Sequence, residues 1–302
     1  MLKISKIVFN FLLLILISCS TKAEKKENNL FVSILPQKYF LQKISSDYFQ
    51  IEVMVSPGQS PATYEPLPQQ LTLLKNTKAF FTINVPFEKA WLSKISSINP
   101  KMKIIDTTQN IKLRQMDVAS EIFESKDLNK VHSLEHHLSK KDPHIWLSPK
   151  LVKIQAQTIL NTLHEFDPEN SKEYHQKYNN FIVELDELYN YMLDKLKDLN
   201  SKQFLVFHPS WGYFADEFGL QQIPIEIEGK KPTSKELVTI IEFAKKNKIK
   251  VLFVQKQFST KEAESIAKAI SGKIIKIDPL AENYIENMKY ITDIFSEEFN
   301  TK

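Results

Sequence analysis

Histidine is the residue of this 302-residue sequence best suited to chemistry, and its placement is uneven. Four of the seven histidines, His132, His136, His137 and His144, fall within thirteen residues in the segment VHSLEHHLSKKDPH. Imidazole nitrogens at that density suit borderline divalent metals such as zinc. The one cysteine, Cys19, leaves no means of building a thiolate cage or an internal disulfide, so a transition metal must be held by nitrogen and oxygen. His164 and His175 lie on helical patterns without carboxylate or histidine neighbours of ligand character, and are read as surface residues.

Two further residues stand where α/β proteins bind ligands. His208 directly follows the apolar run QFLVF, and Asp278 directly follows KIIKI. Residues at the carboxyl ends of parallel strands line the crevice of an open sheet. An Asp-Pro pair after a strand is equally an ordinary turn, so position alone leaves Asp278 undecided. Other chemistries lack their residues. With only five glycines there is no GxGxxG, GxxxxGK[ST] or GxSxG segment, and HExxH is absent as well, so nucleotide-binding and serine-hydrolase readings have no support.

The elements that must position these groups alternate along the chain. LFVSIL, QIEVMV, AFFTI and MKII are β-rich runs separated by helical stretches at Gln37 to Ser46, Gln69 to Thr77 and Phe87 to Ile95. A second series, QFLVF, QIPIEI, KVLFVQ and KIIKI, alternates with helices near Trp211 to Phe218, Ser234 to Asn247, Thr260 to Ile270 and from Asn283 onward. Such alternation implies βαβ units and parallel sheets, and nearly continuous apolar strands imply helices on both faces. Between the series, Tyr174, Tyr178, Phe181, Leu185, Leu188, Met192, Leu196 and Leu199 recur at steps of three and four, which places them on one helical face. No glycine or proline interrupts Ser171 to Asn200, so one long helix is expected between two lobes. The predicted fold is α/β, with two lobes, each a mostly parallel sheet flanked by helices, joined by that rigid helix. The expected boundaries are 30–166 for the first lobe, with a histidine-bearing loop at 131–144, then 167–200 for the helix and 201–302 for the second lobe.

On this plan the ordered segments PGQSPATYEPLPQQL, DPHIWLSP, FHPSWGYFADEFGL and IDPLAENYIENM acquire a common meaning. Together they resemble the zinc- and manganese-binding solute-binding proteins of ABC importers, a family with two α/β lobes joined by a rigid helix. The resemblance covers nearly the whole chain after the first 29 residues. It implies a metal, Zn²⁺ first and Mn²⁺ second, held between the lobes by His144, His208 and Asp278, and delivered to an ABC permease. One departure stands out. Where the family carries a further histidine after its PG turn, this sequence has Ala62. A fourth ligand would then come from water, from loop histidines His136 or His137, or from an oxygen such as Glu228; Glu65, close by in sequence, reads as a helix-entry residue.

The N-terminus addresses location. Lys3 and Lys6 precede an apolar run from Ile7 to Ile17, too short for a spanning helix of about 20 residues and suited to a signal peptide. The run ends in Leu16-Ile17-Ser18-Cys19, which resembles a bacterial lipobox, so residues 1–18 are expected to be removed and Cys19 to carry lipid. Residues 19–29, polar and lysine-rich, read as a tether. The expected product is a monomer on the extracytoplasmic side of a bacterial membrane. The formal charge of +4 falls to about +2 without Lys3 and Lys6, too little to argue for nucleic acid. Two competing functions share the layout: binding of a metal chelate or haem-like molecule in the same cleft, and a His₂Asp metallohydrolase, since three protein ligands with an open position also describe catalytic zinc. No motif supplies the general acid or base that hydrolysis needs, so the chain is expected not to be an enzyme.

Overall fold

A computed structural model of the chain describes residues 29–117, 141–226, 232–258 and 261–300. The first series of elements runs β1 (Asn29–Val32), α1 (Leu35–Ser45), β2 (Gln50–Val53), α2 (Pro68–Leu73), β3 (Thr77–Thr82), α3 (Pro86–Ile98) and β4 (Lys103–Asp106). Helices α4 (Pro149–Phe166) and α5 (Ser171–Leu196) follow. The second series is β5 (Gln203–Val206), α6 (Gly212–Phe218), β6 (Gln221–Pro224), α7 (Ser234–Lys246), β7 (Val251–Gln255), α8 (Lys261–Ala269), β8 (Lys273–Ile277) and α9 (Tyr284–Asn300). All strand pairs are parallel, in the orders β2-β1-β3-β4 and β6-β5-β7-β8. Two four-stranded sheets of the same winding thus occur in one chain, as the alternating pattern implied. In each order the direction of winding reverses beside the first strand, which opens a crevice at the carboxyl ends.

Local sequence explains where the elements that flank the crevice begin and stop. Ser148 caps α4 by accepting from the Leu151 N–H, and Pro149 occupies the first helical turn, where its missing N–H costs nothing. Helix α6 ends on Gly219 at φ 65°, a left-handed position that a side chain would disfavour. Thr233 and Glu236 form a reciprocal capping box at the start of α7.

The long helix α5 has 26 residues, about 39 Å at 1.5 Å per residue. A short 3₁₀ turn, Pro168–Asn170, precedes it, and it stops at Leu196 rather than at Asn200. Tyr174, Phe181, Leu185, Leu188, Met192 and Leu196 form its buried face, while Tyr178 is half-buried and donates to the Gln157 side chain. That face packs on α1 and α4 beside the first sheet and on α9 beside the second. In consequence the main apolar core is continuous: Phe31, Phe80, Leu185 and Met192 share it with Phe204, Phe253 and Phe295, and a separate cluster among the described residues lies on one face of the second sheet, around Ile223, Leu252 and Ile266. A helix buried against both sheets along one stripe fixes their separation, because moving either would expose apolar area at roughly 25 cal/mol per Å².

Candidate metal centre

The carboxyl ends of the two sheets face a common cleft. Second-sheet strand ends supply His208 after β5, Glu226 after β6 and Gln255 at the end of β7; the connections leaving β2 and β3 supply Ser60 to Ala62 and Asn84 to Pro86; and His144 enters from the segment preceding α4. These residues line one cavity of about 150 Å³, together with Trp146, Phe258 and Leu280. The main wall is apolar, so polar groups inside it act in a poorly solvated space.

Two of the predicted ligands meet there. The rings of His144 and His208 are 5.2 Å apart between centres and nearly perpendicular, at 72°. Two imidazoles sharing a tetrahedral zinc, at about 2.0–2.1 Å per Zn–N bond, have ring centres roughly 5 Å apart. Each ring is held by a carboxylate. Asp142, fully buried, accepts from the backbone N–H of His144 at 3.0 Å and lies 2.7 Å from its Nδ1. Glu226, 7 % exposed, lies 3.1 Å from Nδ1 of His208. A carboxylate at Nδ1 keeps the proton on that nitrogen and leaves the Nε2 lone pair available to a cation, the usual arrangement behind metal-ligating histidines. His208 is further fixed by Gln255, whose side chain accepts from its N–H and donates to its carbonyl, and by stacking on Phe258 at 5.4 Å.

Asp278 stands directly after β8, and its carboxylate lines a neighbouring cavity bounded by Ser56 to Gln59 and Glu282. The two cavities share Gln257 and Leu280. Leu280 N–H and the Gln257 side chain donate to Asp278 Oδ1 at 3.0 and 3.1 Å, and the Lys256 ammonium lies 3.5 Å from Oδ2. The indole of Trp146 donates to the Pro279 carbonyl at 2.7 Å, which ties the DPHIW segment to the turn that carries Asp278. Ala62 lines the cleft with the two imidazoles. His132, His136, His137, Glu228 and Cys19 lie outside the described residues.

Sequence reasoning missed Asp142 and Glu226. Both were within reach: Asp142 opens the DPH segment two residues before His144, and Glu226 follows its strand just as His208 follows β5. It also placed His164 and His175 without histidine neighbours, and the structure corrects this. Packing of α4 on α5 brings Nε2 of His164 to 3.4 Å from Nδ1 of His175, a contact that an eleven-residue spacing across a helix turn does not reveal.

Comparison with known proteins completes the picture. Residues 30–298 match the family described as ZnuA, zinc-uptake complex component A, periplasmic. The chain belongs to this family. Its members are zinc-uptake components, not enzymes. A zinc-bound structure of a ZnuA deletion mutant superposes with a TM-score of 0.82 at 39 % identity, covering 91 % of this chain and 98 % of the other. The ZnuA protein of a high-affinity zinc uptake system in Bacillus subtilis is 25 % identical over 84 % of this chain and 80 % of its own length. A zinc-binding protein AdcA of Streptococcus pyogenes is 27 % identical over 86 % of this chain; the chain spans only 52 % of that relative. The laminin-binding protein Lmb of Streptococcus agalactiae shares the fold, with a TM-score of 0.75 at 22 % identity.

Proposed function

We propose that this chain captures Zn²⁺ outside the cytoplasmic membrane, in the cleft between its lobes, and passes it to an ABC permease. The paired imidazoles carry this reading: His144 and His208 approach from opposite sides at the separation of two ligands on one zinc, each with its Nδ1 engaged by a buried carboxylate. Asp278, from the adjoining cavity, is the third ligand in this reading, and the fourth position, where Ala62 offers only a methyl group, is filled by water or by His136 or His137. Family membership and relatives named for zinc favour Zn²⁺ over Mn²⁺. Lipid on Cys19 and the polar tether would hold a monomer at the membrane. A named lipoprotein among the relatives, the zinc-binding lipoprotein AdcA of Streptococcus pneumoniae, supports the anchor, and no helix among the described residues is long and apolar enough to cross a membrane.

Metal analysis of the purified chain, followed by zinc competition titration of His144→Ala, His208→Ala and His132→Ala, tests the reading. Loss of either cleft imidazole should weaken binding at least about tenfold, one step of about 1.4 kcal/mol, and loss of His132 much less. Equal small losses for all three would place binding in the loop and end the cleft assignment.

A further inference from the structure

Arg114 joins the two lobes at one point and reaches the candidate ligand His144 through a single carboxylate. It lies beyond β4, in the segment that pairs with the chain entering the DPH motif: Gln115 bridges Lys141, and the Asp142 N–H donates to the Arg114 carbonyl at 3.0 Å. Its guanidinium donates to three carboxylates. Nη1 reaches Asp142 Oδ2 at 3.2 Å, Nη2 reaches Asp117 Oδ1 at 2.8 Å, and Nε reaches Asp216 Oδ2 on α6 at 2.8 Å. Asp142 is therefore shared, with Oδ2 on Arg114 and Oδ1 on the His144 ring and backbone.

Second-lobe groups close around this pair. The Tyr213 hydroxyl accepts from the Arg114 N–H at 3.1 Å and donates to the Asp142 carbonyl at 2.9 Å, and Gln222 of β6 donates to Asp117 at 2.6 Å. Gly212 leaves the space they need: a Cβ there would come within 1.7 Å of Arg114 Nη1 and 2.7 Å of Asp142 Oδ2. An uncompensated carboxylate with no exposed surface would be costly, so Asp142 depends on this cation to remain an acceptor for His144.

We propose that Arg114 is a positioning residue for the metal. It orders Asp142, and so fixes the tautomer and rotation of the His144 ring, while its bond to Asp216 makes that order depend on the contact between lobes. The zinc part of this statement rests on the proposed cleft site; the tautomer part does not.

The test uses the purified chain with Arg114→Ala, Arg114→Lys and Gly212→Ala, with His144→Ala as reference. Nitrogen-15 spectra of the imidazoles in zinc-free protein should show His144 with its proton on Nδ1 in the wild type, a mixture of tautomers in Arg114→Ala, and the wild-type state largely restored in Arg114→Lys. Gly212→Ala, whose methyl must displace the guanidinium, should resemble Arg114→Ala. Zinc affinity should fall about 10- to 100-fold in Arg114→Ala, the range typical when a ligand loses its supporting partner, and less in Arg114→Lys. An unchanged tautomer in folded Arg114→Ala overturns the inference. So does a zinc Kd within about twofold of wild type while His144→Ala binds weakly. Wild-type affinity in His144→Ala would instead refute the cleft site and leave the tautomer result to decide the role of Arg114.

Discussion

Glu88 couples pH to the loop that forms one wall of the cleft. Its carboxyl group, 4 % exposed, accepts from the Ile83 and Asn84 N–H groups at 2.9 and 2.7 Å and from the Ser33 hydroxyl, and holds the β3–α3 connection, where Asn84 sits at φ 63°. Burial pushes its pKa from 4.5 up to about 7; the three donors lower it in part, and the nearby Asp106 adds a small upward push. A carboxyl whose pKa is higher folded than unfolded makes the native state bind its proton more tightly. The stabilisation is full below pH 4.5 and is lost as pH rises through 7. A rise from 4.5 to about 7, at about 1.4 kcal/mol per unit, corresponds to about 3 kcal/mol. Glu88→Gln cannot ionise, so the stability of wild type relative to this variant should fall by about that amount across the interval. Urea unfolding of both zinc-free proteins at half-unit steps from about pH 4.5 to 8 measures the difference, in which the other carboxylates cancel. A difference that stays constant to within about 1 kcal/mol would refute the argument and show that Glu88 remains ionised or solvated throughout.

Three further outcomes follow. Ala62→His places an imidazole on the wall of the cleft that also holds His144 and His208 and should tighten zinc binding by about tenfold or more in a competition titration; unchanged affinity would show that this position cannot reach the metal. Removing both His136 and His137 should weaken zinc binding if the loop completes the coordination, whereas unaltered binding would leave water in that position. Cys19→Ser should move the protein from the membrane fraction to the soluble one, since a multiply acylated terminus anchors stably; persistent membrane association, with no lipid label on the wild type, would dispose of the anchor.

The amino-acid sequence by itself determined the architecture. Short continuous apolar runs such as QFLVF and KVLFVQ, alternating with helical stretches, read as strands covered on both faces, and the three- and four-residue steps from Tyr174 to Leu196 read as one helical stripe. These are local periodicities, readable without knowing what lies across the fold. His208 was legible for the same reason, because a strand end in a parallel sheet has a known outlook. What the tertiary structure decided was everything that depends on distance between segments. His144 meets His208, Asp142 is shared between His144 and Arg114, and Arg114 reaches Asp216 on the other lobe, a pairing 102 residues apart in sequence. The continuous core under α5 was equally invisible, because periodicity shows that a face is buried but not that both sheets bury it. Asp278 marks the boundary between the two kinds of knowledge. Its place after β8 and the turn in which the Leu280 N–H donates to it follow from the local chain, while the Gln257 side chain, 21 residues away, reaches its carboxylate only because β7 and β8 pair in the folded sheet.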